Sequence, residues 1–182
     1  PQLLSRATLA LSHIKRLGRN QYRFYTQKMN SAITDFMNLE KHLHAGIENN
    51  EFVPYFQPYF SIAEGKPVGM EALARWQSDE LGFVSPGRFV PLLEESGLIV
   101  QAGESLLRQV CQHLRTWLDQ GVPVVPAAVN LSAVQFRQKN LAERIIEIVE
   151  NAGLPRRYLS LEVTETSFMD NVETAARTME LL

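Results

Sequence analysis

The chain has 182 residues, 45% hydrophobic and 21% charged, and a formal charge of −2 at neutral pH. This balance fits an ordinary folded domain with a core of useful size, and it excludes a globally basic nucleic-acid surface or an acidic tail. No run approaches the roughly 18 to 20 apolar residues of a membrane helix, and the N-terminus lacks a charged-then-apolar signal pattern.

Residues 2–17 have helical spacing, with Leu3, Leu4, Ala7, Ala10, Leu11 and Ile14 on one side and Gly18 where a C-cap belongs. "QYRFY" (21–25) alternates as a short strand. A helix and strand with nothing in front of them predict the tail of a preceding domain, residues 1–28. A connecting helix follows over 31–50, its apolar stripe formed by Ile33, Phe36, Met37, Leu39, Leu43 and Ile47. Residues 29–50 are thus the connector and the start of the next domain.

Beyond Glu51 the rhythm changes. "FVPYFQPYFSI" and "PVGMEALARW" read as strands joined by the turn signal Glu64-Gly65-Lys66-Pro67. "SPGRFVPLLEESG" opens on Ser-Pro, an N-cap and N1 pair, and stops at Gly97. Residues 103–120 form a strongly amphipathic helix ending at Gly121. That helix carries the single cysteine, Cys111, which rules out an internal disulfide, fits a reducing compartment and, among Leu107, Val110 and Leu114, reads as a buried thiol. Histidines offer no metal centre: His42 and His44 point apart on a helix, and His13 and His113 have no partner at ligand spacing. "PVVPAAVNLS" is a strand, 141–151 a helix ending at Gly153, and "YLSLEVTE" a strand; Asn171 opens another helix. That last helix reaches Leu182 with no cap or turn residue, which predicts a chain cut inside a larger domain. Strands alternating with helices from Pro67 onward predict parallel pairing with helical crossovers. Pattern alone leaves a (β/α) barrel and a doubly wound sheet both open, although no Gly-rich phosphate fingerprint follows any strand.

Side-chain alternation places chemistry on these strands. In "VGMEALARW", Val68, Met70, Ala72, Ala74 and Trp76 share one face, and Gly69, Glu71, Leu73 and Arg75 the other. Asn130 lies opposite Val129 and Leu131, and Glu162 opposite Leu161 and Val163. Each residue has a structural explanation: a Glu71–Arg75 ion pair, Asn130 as a helix cap, Glu162 and Glu165 on a solvated loop. Taken together, two carboxylates and an amide oxygen on successive strands invite a hard cation, because unpaired buried carboxylates cost several kcal/mol. An all-oxygen set points to Mg²⁺ or Mn²⁺ and away from zinc. A nearby arginine suits an anionic substrate, phosphate above all. The residues therefore predict a metal-dependent phosphate-handling site.

"MEALARW" (70–76), with "YFQP" (55–58), "SPGRFVPLLEESGLI" (85–99), "VNLS" (129–132) and "LEVTET" (161–166), resembles the EAL-domain family, the cyclic di-GMP phosphodiesterases. The resemblance covers residues 33–182. It implies an α/β fold, a TIM-like (β/α) barrel of which residues 51–182 are the N-terminal portion, that hydrolyses cyclic di-GMP to linear pGpG with Mg²⁺ or Mn²⁺. At matched positions, Glu71, Asn130 and Glu162 would be metal ligands. Gln57, Leu73 and Arg75 would contact the dinucleotide, and Pro86 would border its pocket. Glu165 matches an acidic residue that orders a catalytic loop. "RATLALSHIKRLGRNQYRFY" (6–25) resembles the closing helix and strand of a GGDEF domain, with Thr8 and Ser12 where aspartate and tyrosine are usual; nothing in it points to cyclase activity. The family's later motifs, an Asp pair and a lysine among them, are not in these residues, so the resemblance implies that the segment alone does not turn over substrate. It further implies a cytoplasmic signalling protein, with any membrane anchor in regions not present, no DNA or RNA partner, and a homodimer as the family's common assembly. The alternative within the same family is a degenerate EAL domain that binds cyclic di-GMP without cleaving it.

Overall fold

The computed structural model describes residues 7, 10, 11, 22, 24–163 and 172–182, with backbone only at 27–36, 172–175 and 177. Two compact units divide at the His44–Ala45 boundary. In the first, the predicted helix over 2–17 falls largely outside the described residues, although Ala7, Ala10 and Leu11 are helical. Of the strand expected over 21–25, Gln21 and Arg23 lie outside the described residues, and Tyr22, Phe24 and Tyr25 are not in a strand. The connecting helix α1 runs Gln27–Glu48, starting four residues before its expected position.

The second unit follows the predicted alternation. Strand β1 (Phe52–Phe60) turns back through residues 61–66 into β2 (Pro67–Ser78), and the two pair antiparallel. Gly65, at φ 64°, supplies the left-handed residue of that turn. A short strand absent from the sequence reading, β3 (Gly82–Val84), folds back onto the end of β2. Helix α2 (Pro86–Ser96) has Ser85 at its N-cap position, where the Ser85 carbonyl accepts from the Arg88 and Phe89 amides. It stops at Gly97, φ 75°.

Helix α3 runs Ile99–Asp119 and so begins four residues before Gly103, which becomes an interior glycine. Strand β4 is only Ala127–Leu131, shorter than expected because Pro123 and Pro126 have no N–H for a ladder. A single turn, α4 (Ala133–Phe136), precedes α5 (Leu141–Asn151). A 3-10 turn at Arg156–Tyr158 leads into β5 (Leu159–Val163), and α6 spans Val172–Leu181.

Strands lie in the order β1-β2-β4-β5, with β3 on β2, and both β2–β4 and β4–β5 are parallel. Met70, Ala72, Ala127, Val129 and Leu131 from the sheet pack with Leu107, Val110, Cys111 and Leu114 of α3 and Ile145, Ile148 and Val149 of α5. Both crossovers therefore cover the same face of the sheet. Among the described residues the two crossovers lie on one side, whereas a doubly wound sheet has helices on both faces. At one end, Phe52 stacks on Trp76 at 5.1 Å and meets Phe89 at 5.4 Å, pinning α2 to the hairpin. Gly46, in the last turn of α1, lets the Trp76 indole approach closely: a Cβ there would lie 2.9 Å from Nε1, which donates to Glu51 Oε2 at 2.8 Å.

Candidate active site on the open face of the sheet

Alternation along β2, with its apolar set committed to the helices, leaves Glu71, Leu73 and Arg75 on the opposite face, each half-buried. The ladders bring the other strands into rows with them. Gln57 of β1 pairs with Glu71, which pairs in turn with Ala128 of β4. Two residues further along β4, Asn130 pairs with Glu162 of β5. Directly paired residues point to the same side, so Gln57, Glu71, Asn130 and Glu162 share one surface. Asn130 Nδ2 donates to Glu71 Oε1 at 2.6 Å, linking the two rows.

This contact decides between the readings open at the sequence level. Asn130 caps no helix: Ser132 has that role for α4, its hydroxyl accepting from the Gln135 amide at 3.2 Å. No ion pair joins Glu71 and Arg75 among the described residues. Instead Arg75 Nη1 donates to the Ala74 carbonyl at 2.9 Å, and its guanidinium lies over the Tyr55 ring, 5.6 Å from the centroid. Glu162 belongs to β5 and is not on a loop. Glu165 lies outside the described residues.

Where β2 and β4 end, a cavity of about 210 Å³ opens between the sheet and helices α2 and α3; Leu73, Arg75, Pro86, Asn130, Ser132 and Gln135 are among its walls. Gln57 and Glu162 are exposed on the same face as Glu71, and neither is among the residues lining that cavity. Of the eight expected residues, Leu73, Arg75, Pro86 and Asn130 border that cavity, Glu71 meets Asn130 directly, and Gln57 and Glu162 stand in register beside Glu71 and Asn130.

Two groups near the site escaped the sequence reading. Tyr55 stands in register opposite Leu73, and its hydroxyl accepts from Gln77 Nε2 at 2.7 Å. Applying to β1 the alternation used for β2 would have found it, because Tyr55 has the parity of Gln57. Gln135 completes a capping box, its Oε1 accepting from Ser132 N–H at 3.1 Å. The Ser-x-x-Gln spacing that announces such a box was present in "SAVQ" (132–135).

As a metal site the cluster has a definite chemical character. Among the described residues no three His, Cys, Asp or Glu side chains come together. The donors are two carboxylates and a carboxamide, all hard oxygen groups once the Asn130 amide turns its oxygen inward. The amide is already within 2.6 Å of Glu71 and in register with Glu162. Such a set fits Mg²⁺ or Mn²⁺.

A model of the EAL domain matches residues 40–182. The chain belongs to the EAL domain family. MucR of Pseudomonas aeruginosa, a bifunctional diguanylate cyclase/cyclic di-GMP phosphodiesterase, is 36% identical over 181 residues, covering all of this chain and 26% of MucR. NbdA, a cyclic di-GMP phosphodiesterase of the same organism, is 32% identical over 181 residues, 23% of its length. This EAL-family chain therefore spans about a quarter of the curated relatives it matches. A solved structure described as the MucR phosphodiesterase in complex with c-di-GMP superposes with a TM-score of 0.73 at 36% identity, covering 79% of this chain and 58% of that one. The mixed α/β fold is that of EAL domain structures. Among the described residues, no helix of this EAL-family chain is long and apolar enough to cross a membrane.

Proposed function

We propose that the protein containing this chain is a cyclic di-GMP phosphodiesterase that hydrolyses cyclic di-GMP to linear pGpG. The observation that carries this reading is the meeting of Glu71 and Asn130, with Glu162 in register beside Asn130, on the face of the sheet opposite its apolar core. Relatives that act on cyclic di-GMP, and a structurally similar domain in complex with it, support the substrate. Glu71, Asn130 and Glu162 would hold Mg²⁺ or Mn²⁺, which would supply a lowered water pKa and offset charge on the phosphate. Arg75, held by Ala74 and Tyr55, faces the substrate phosphate through its guanidinium. Gln57 and Leu73 contact the dinucleotide, and Pro86 borders its pocket. Glu165, at its matched family position, is the acidic residue that orders a catalytic loop.

In the same proposal residues 51–182 are the N-terminal portion of a TIM-like barrel, 29–50 connect it, and 1–28 are the end of a GGDEF domain. Turnover is assigned to the full-length protein, because the curated relatives extend well beyond the matched segment. The protein acts in the cytoplasm as a homodimer. Chromatography of full-length protein incubated with cyclic di-GMP and Mn²⁺ tests the activity. The expected result is pGpG from wild type and none from Glu71→Ala; cyclic di-GMP left intact by folded wild type, or retained activity in Glu71→Ala, overturns the assignment.

A further inference from the structure

Asn130 is the next-to-last residue of β4, and what holds it is the turn that follows. The strand ends at Leu131, and the chain reverses through the capping box of Ser132 and Gln135. Gln135 is one of few polar side chains in the interior, 6% exposed. Its Oε1 accepts from Ser132 N–H at 3.1 Å, and its own N–H donates to Ser132 Oγ at 3.2 Å. The amide end of the side chain rests on helix α3 at Gly103. A Cβ on Gly103 would overlap Gln135 Nε2 and stand 2.9 Å from Cδ. A glycine inside a helix costs about 1 kcal/mol relative to alanine, and here its bare backbone is the seat that the Gln135 amide occupies. Gly103, Asn130, Ser132 and Gln135 all border the cavity at the strand ends.

From this geometry we infer that Gln135, seated on Gly103, is the positioning residue for Asn130. It fixes the turn two residues beyond Asn130 and so aims the Asn130 carboxamide at Glu71. The link runs from α3 through one side chain to the end of β4. Its consequence for divalent-ion binding rests on the phosphodiesterase reading above; the placement of Asn130 does not.

The test is the side-chain amide resonance of Asn130 in the ¹⁵N-labelled chain, assigned by its loss in Asn130→Ala and recorded without metal or nucleotide. In wild type it is displaced from the free-amide position, and Glu71→Gln moves it. Gly103→Ala and Gln135→Ala return it toward the free-amide position, whereas Gln135→Glu, which keeps an acceptor for Ser132 N–H, retains most of the displacement. A purely structural role would lower the melting temperature in Gln135→Ala yet leave the resonance in place, and that result overturns the inference. Should Gly103→Ala fail to fold, Gln135→Ala and Gln135→Glu decide the matter alone. Mn²⁺ titration supplies the second readout, with affinity falling roughly 10- to 100-fold in Gln135→Ala. Absence of Mn²⁺ binding in the wild-type full-length protein contradicts the phosphodiesterase reading while the amide resonance still decides the role of Gln135.

Discussion

Asn130 donates to Glu71 across adjacent strands at 2.6 Å, and neither side chain contributes to the apolar core beneath them. Replacing Asn130 with alanine therefore separates site from fold. Exposed as it is, Asn130 should change unfolding free energy by no more than about 0.5 kcal/mol in a denaturant titration. Mn²⁺ affinity, followed by electron paramagnetic resonance, should drop by at least ~100-fold, since outer-shell changes alone cost about 10 to 100. Unchanged affinity in Asn130→Ala would remove this residue from the ligand set.

Cys111 gives a pH signature. It is fully buried on α3, and burial pushes its thiol pKa up to about 11 from an ordinary 9.0. The folded chain thus holds the proton more tightly than the unfolded chain. The resulting stabilisation is complete below about pH 9 and is lost as pH rises toward about 11. Denaturation midpoints should fall across that window, and Cys111→Ala should flatten the decline. Burial and the raised pKa together keep the thiol protonated and shielded, so a disulfide reagent should label Cys111 far more slowly in the folded chain than in denaturant.

Gly69 is buried opposite Tyr59 in the β1–β2 ladder. A Cβ at Gly69 would overlap the hydroxyl end of the Tyr59 side chain. Gly69→Ala should cost roughly 1–3 kcal/mol, as overpacking does elsewhere. The double variant with Tyr59→Ala should recover part of that loss, measured as non-additivity in a double-mutant cycle.

Periodicity made the crossovers legible: the α5 boundaries match the sequence reading, and the parallel pairing of β2, β4 and β5 follows from the alternation. Alternation also put Glu71, Asn130 and Glu162 on the correct face before any coordinates. What periodicity lacks is register. That Glu162 stands beside Asn130, and Gln57 beside Glu71, depends on how strands align, which no single strand encodes. Gly103 shows the opposite failure. Read as the start of the amphipathic helix over 103–120, it is interior, and its partner Gln135 is 32 residues away in the numbering. Tertiary contact overrode local propensity there. Strand β3 was missed because three residues are too few to show alternation.

The sheet has two faces with separate obligations. Helices bind to one, and the carboxylates, amide and guanidinium occupy the other. Mutational drift can therefore erase chemistry without touching architecture. A lineage that lost one oxygen donor would keep a sound shell, so a working site and a silent one are neighbouring outcomes on a single scaffold.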